Sequence, residues 1–200
     1  MMRTEKNKLA GNGFSLLELL IVVSIMSMLV ALLSPALKTA REQAKGIQCV
    51  GNLRQIGMAI NEYLHDYDGM WTASLFAETE PSCYWDRMLI GKGYVKNCLH
   101  GGFYWYRETV MWCPSFKTNY KDVPAYGLNV YLFWNKWQKV DSIADPAGTL
   151  LLADCNGNRT TGAWSNPMLV YRHNGLANVL FVDGHLEPRN MADLKATLVK

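Results

Sequence analysis

The sequence predicts an α+β protein in which one long N-terminal helix packs on a small antiparallel β-sheet head. Three observations lead there. An apolar run of helical length begins at Phe14, and a helical apolar stripe follows from Leu53 to Leu64. Beyond Gly69, short strand-like runs alternate with Gly, Asn, Asp and Pro rather than with regular helices.

Thirteen mostly polar residues, ending at Gly13, precede the apolar run. Phe14 to Leu33 are twenty residues, the length of an α-helical bilayer span. Glu18 is their only charge. A carboxylate costs about 2.5–3.5 kcal/mol at the centre of a membrane helix and less near its end. Glu18 therefore marks a function and requires a partner. Pro35 removes the amide that would bond the Ala31 carbonyl, which predicts a kinked or loosened helix there. Leu53, Ile56, Gly57, Ile60 and Leu64 then recur at helical spacing, with Arg54, Asn61, Glu62 and Asp66 off the stripe. Such a helix packs one face on a globular head, and Asp68-Gly69 ends it with a glycine suited to a left-handed cap.

Strands are predicted at Phe103 to Trp112, Gly127 to Phe133, Thr149 to Ala153, Met168 to Tyr171 and Ala177 to Val182, and a short closing helix at Asn190 to Val199 with Met191, Leu194 and Leu198 inward. The division expected is residues 1–13, a membrane segment 14–37, an amphipathic helix 38–68 and a head 69–200.

The formal net charge of +3 falls to near +1 without residues 1–13, and no dense basic patch argues for nucleic acid. The five cysteines form no CxxC pair, which disfavours a zinc ribbon. One or two disulfides suit an exported domain. Their connectivity stays open; Cys83 and Cys98 would close a loop worth roughly 3 kcal/mol.

Lys8-Leu9-Ala10-Gly11-Asn12-Gly13 followed by Phe14-Ser15-Leu16-Leu17-Glu18 resembles the prepilin junction of type IV pilins and type II secretion pseudopilins. The resemblance implies a pilin-like fold, cleavage between Gly13 and Phe14 by a prepilin peptidase, and methylation of the new Phe14 amine. It also implies an inner-membrane subunit that assembles with other pseudopilins on a secretion or pilus platform. The Phe14 amine would then meet Glu18 of the same or a neighbouring chain, and Pro35 would mark a segment that unwinds on assembly. Farther on, His173, nine residues, then Asp183-Gly184 resembles the C-terminal signature of a bacterial prepilin-like group. Asn52-Leu53-Arg54-Gln55-Ile56-Gly57, Cys113-Pro114-Ser115 and Leu151-Leu152-Ala153-Asp154 resemble its internal blocks.

From the residues alone, Asn174-Gly175 and Asp183-Gly184 are turns flanking a strand. If that strand pairs back along Met168 to Tyr171, His173 and Asp183 stand about 30 Å apart and fix one turn each. Another reading brings Asp154, Asp183 and His185 together on a calcium ion, as the heads of some pseudopilins hold calcium; no matching loop is evident. No GxSxG, HExxH, GxxxxGKS or GxGxxG motif occurs, so no catalytic residue and no cofactor is expected. The aromatics of the 71–112 segment, with Trp134 and Trp137, serve either as packing or, in part, as an exposed platform for polysaccharide or a partner subunit, with Trp85 and Trp105 the residues to test. The second use belongs to an alternative reading, a membrane-tethered carbohydrate-binding or hydrolytic domain.

Overall fold

The computed structural model describes residues 14–71, 84–96, 98–100, 103–117, 123–129, 132, 139–157, 160–161 and 169–193. The chain divides into two compact units, the first ending at Arg41 and the second running from Glu42 to Lys200.

Helix α1 runs Leu16–Asp66 with Pro35 inside it. The helix continues through the proline rather than ending there. Thr39 Oγ1 donates to the Pro35 carbonyl at 3.2 Å, whereas the carbonyl that loses its amide partner is that of Ala31. In the second unit the expected stripe is the buried one. Leu53, Ile56, Gly57 and Ile60 are buried together with Cys49, Asn52, Ala59 and Tyr63, while Arg54, Asn61 and Glu62 face solvent. Each large aliphatic side chain so buried contributes about 1.5–3 kcal/mol. Two residues share the left-handed turn that ends α1. Asp68 (φ 52°) occupies the position expected for Gly69 (φ 73°), and the Gly69 amide donates to the Leu64 carbonyl at 2.7 Å. That six-to-one bond is the Schellman arrangement.

Helix α2, Trp85–Gly91, was not foreseen; Trp85, Met88, Leu89 and Ile90 are buried on it. Strands β1 (Leu99–His100) and β2 (Phe103–Tyr104) form a two-residue antiparallel ladder. The predicted strand to Trp112 stops at Tyr104, and a 3-10 turn at Tyr106–Glu108 follows. Tyr106 in that turn is fully buried and serves packing.

The main sheet has the order β5-β3-β4-β6-β7, from β3 (Tyr126–Asn129), β4 (Leu150–Asp154), β5 (Thr160–Thr161), β6 (Ala177–Phe181) and β7 (Leu186–Arg189). The four strands β3, β4, β6 and β7 pair antiparallel, and β5 adds to β3 in parallel. Two strand predictions need correction. Leu169 makes a single bridge to Cys155 instead of belonging to a strand, and β6 pairs with β4 and β7 rather than with residues 169–171; Met168 lies outside the described residues. In β7, Pro188 sits on an edge strand, where its missing amide leaves no ladder bond unmade.

Both faces of the central strands are covered. Leu151, Leu152 and Leu180 join the core that includes α1, while Leu150, Ala153, Val179 and Phe181 pack in a second cluster with Leu169. At Gly57 an added Cβ would stand 3.0 Å from Leu180 Cδ2, so glycine sets how closely α1 approaches β6. Cys49 and Cys113, 64 residues apart, form a disulfide with Cα atoms 5.2 Å apart. Cys83 lies outside the described residues, and Cys98 and Cys155 are buried. Asn190 Oδ1 accepts from the Ala192 and Asp193 amides, capping a helical turn at 191–193. Met191 there is half exposed rather than inward; Leu194 and Leu198 lie outside the described residues.

Candidate functional site

The residues singled out by sequence fall in two places. One is the start of α1. Ser15 Oγ accepts from the Leu17 amide at 3.2 Å, and Glu18 Oε2 reaches back to accept from the Ser15 amide at 2.9 Å. This is a reciprocal capping box, in the first turn where the helix dipole favours an anion. Ser15-x-x-Glu18 is the sequence signature of that box. The carboxylate ends one residue from the Phe14 nitrogen, which a cut after Gly13 would turn into a cationic amine. Gly13 itself lies outside the described residues. From Leu16 to Leu37 the side chains are exposed, Leu16 at 87% and Leu33 at 64%. α1 is long and apolar enough to cross a membrane, and its bare apolar surface suits lipid or other helices.

The other place surrounds β6. The His173 amide donates to the Leu176 carbonyl at 3.1 Å and the Leu176 amide returns a bond at 3.0 Å. Asn174 (φ 54°) and Gly175 (φ 80°) between them are both left-handed, as a type I′ hairpin turn requires. Beyond the far end of β6, Gly184 (φ 90°) turns the chain into β7. Asp183 Oδ1 accepts from the His185 amide at 3.1 Å and lies 2.6 Å from His185 Nδ1. The bond from the His185 amide holds the Asp183 carboxyl below the usual carboxylate range. The His185 ring stacks on Phe181 with centroids 4.2 Å apart. His173 and Asp183 thus stand at opposite ends of one strand.

The His173 ring turns inward, its side chain 10% exposed. Nε2 is 3.5 Å from Cys113 Sγ and 3.5 Å from Asp154 Oδ2. Nδ1 faces α1 at Gly46, where an added Cβ would stand 3.5 Å away. Burial, reinforced by the neighbouring Arg172 cation, lowers the His173 pKa.

Asp154 is fully buried, and burial pushes its carboxyl up to about 6; attraction to Arg172 and hydrogen bonds from Asn178 offset only part of that cost. Oδ2 accepts from the Asn178 amide at 2.8 Å, and Oδ1 is 3.7 Å from Arg172 Nε. Arg172 Nη2 donates to the Ala125 carbonyl at 3.1 Å and to that of Cys155, and the guanidinium lies over Phe116. Among the described residues, Asp154 Oδ1 and Arg172 Nη1 have no hydrogen-bond partner. Asp154 lies one residue past the predicted end of its strand at Ala153. It is a strand residue on the same face as Leu152, and an acid on that apolar face was the missed signal.

The calcium reading does not survive this placement. Asp154 binds Asn178 at the start of β6, whereas Asp183 and His185 lie past Phe181 at its end, with the extended strand between them. Among the described residues, the donors that converge are Cys49, Cys113 and His173. Of the proposed platform aromatics, Trp85 is fully buried and therefore packing, while Trp105 is 38% exposed. Trp112 is half-buried under the Arg107 guanidinium. Trp134 and Trp137 lie outside the described residues.

No curated protein and no solved structure matches the chain. Residues 11–34, which contain the capped, exposed, apolar start of α1, match the family model of the prokaryotic N-terminal methylation motif, the prepilin motif of type IV pilins and pseudopilins.

Proposed function

We propose that the chain is a structural, non-enzymatic subunit of a type II secretion pseudopilus or a type IV pilus-like filament. Prepilin peptidase cuts between Gly13 and Phe14, the Phe14 amine is methylated, and the inner-membrane helix later packs with those of other subunits. The head then lies beyond the membrane. The observation that carries this reading is the methylation motif falling on the exposed apolar start of α1, whose only acid up to Leu37, Glu18, reaches back to the Ser15 amide next to Phe14.

Within a filament core, the carboxylate and the new amine neutralise each other. Breaking a buried ion pair by removing one partner costs about 3–5 kcal/mol, whereas losing a helix cap costs about 1 kcal/mol. Glu18→Gln separates the two, because the amide oxygen still accepts from Ser15 while the charge is gone. Both Glu18→Gln and Glu18→Ala are expected to be cleaved and then to fail to enter filaments, read by shearing and immunoblotting. Mass spectrometry of the wild-type mature chain should find methylated Phe14. Wild-type assembly by Glu18→Gln would reduce Glu18 to a cap, and an intact Met1 would remove the whole reading.

A further inference from the structure

We propose that Cys49, Cys113 and His173 bind a thiophilic divalent cation of the zinc class while the two cysteines are still thiols. Three segments distant in sequence supply the donors: α1, the loop before β3, and the turn before β6. Both sulfurs and a His173 ring nitrogen lie within 4.8 Å of one another. On a tetrahedral zinc, bond lengths of about 2.3 Å to sulfur and about 2.05 Å to nitrogen place S and N roughly 3.5–3.6 Å apart. The Cys113 Sγ to His173 Nε2 distance is 3.5 Å. Two sulfurs on the same ion stand about 3.8 Å apart. Cα atoms 5.2 Å apart allow that separation by side-chain rotation alone.

Charge decides whether such a buried site is tolerable. Asp154 and Arg172 already oppose each other beside the ring. Two thiolates cancel the two charges of the ion, so the pocket stays neutral with the metal as it is with the disulfide. Three protein donors leave a fourth position to water, and Asp154 Oδ2, 3.5 Å from Nε2, is a nearby acceptor. Entry is available through a cleft lined by Glu42, Gly46 and Ile47 of α1 and by Arg172 and Asn174, which opens onto His173.

The chemistry balances without a reductant, because the chain is synthesised as the dithiol. Binding releases one proton from each thiol and forms two metal–sulfur bonds. When a protein disulfide later accepts two electrons from the sulfurs, the Cys49–Cys113 bond forms and the ion leaves. Metal and disulfide thus become successive ways of fastening α1 to the loop that carries Cys113. This inference stands apart from the filament reading, since it concerns the second unit alone.

The test uses the full chain in detergent, reduced with a phosphine, with cobalt(II) as a coloured probe and zinc(II) as competitor. One cobalt per chain is expected, with the visible bands of tetrahedral thiolate coordination that zinc abolishes. Cys49→Ser and His173→Ala should weaken binding at least tenfold, and Cys98→Ser should leave it unchanged. His173→Cys should keep the bands and strengthen the sulfur charge-transfer absorption, which a merely structural histidine does not explain. No tetrahedral band in the reduced wild type, or wild-type affinity in Cys49→Ser or His173→Ala, would overturn the proposal.

Discussion

Replacing Cys49 and Cys113 together by alanine should lower the stability of the second unit by about 4 kcal/mol. The two residues are 64 apart in sequence. Closing a loop of that length removes roughly 14 cal/mol/K from the unfolded chain, or about 4 kcal/mol at 25 °C. Set against a total stability of about 5–15 kcal/mol for a domain, that is a large share. The single substitutions sharpen the test, because either one breaks the whole bridge. Cys49→Ala, Cys113→Ala and the double variant should therefore lie within about 1 kcal/mol of one another, far from additive. Urea unfolding of the full chain in detergent, with a metal chelator present, gives the numbers. Tryptophan fluorescence reports on the correct unit, since all seven tryptophans lie after residue 70. Additive single losses, or a total loss below about 1 kcal/mol, would refute the reasoning that this bridge constrains the unfolded chain.

Two further predictions concern the core beside it. Burial raises the Asp154 carboxyl from 3.8 to about 6, so between those values the folded chain holds a proton that the unfolded chain has released. Its contribution to stability therefore falls as pH rises from about 4 to about 6, by roughly 3 kcal/mol, and is level above that. Asp154→Asn should lack this slope, so the wild-type-minus-variant difference in urea unfolding should fall by about 3 kcal/mol across the window; a difference that stays constant with pH refutes the shift. At Gly57, alanine gains about 1 kcal/mol of helix propensity and meets Leu180 at 3.0 Å. Gly57→Ala should accordingly stay within about 1 kcal/mol of wild type, whereas Gly57→Leu should lose about 3 kcal/mol through overpacking; equal effects of the two would show that α1 does not approach β6 this closely.

What sequence made legible were the features specified by near neighbours. The stripe of α1, the strands β4 and β6, and the Asn174-Gly175 and Asp183-Gly184 turns each follow from a period or a dipeptide. The seven residues of α2 are too few for a helical period to stand out. β7 was hidden by Pro188, which argues against a strand until its edge position is known. The cluster of Cys49, Cys113, Asp154, Arg172 and His173 was illegible for a different reason. Its members come from four segments, and only the folded sheet brings them to α1.

The nine residues between His173 and Asp183 can now be derived from geometry. Asn174 and Gly175 make the first turn, Leu176 closes it, β6 takes five residues, and Val182 leads to the second turn. With a side-chain period of two, the count also sets facing: Leu180 meets α1 at Gly57, while Val179 and Phe181 enter the second cluster. One alanine inserted between Val179 and Leu180 must either turn Leu180 and Phe181 to the wrong faces or pull the Asp183 turn out of register. At about 1.5–3 kcal/mol for each displaced side chain, the loss is roughly 3–6 kcal/mol. The same insertion after exposed Ala147, in the turn before β4, should cost less than about 1 kcal/mol. Urea unfolding of the two variants compares them directly. Equal losses would mean that the spacing records ancestry alone; unequal losses make it the length of a strand with a fixed residue at each end.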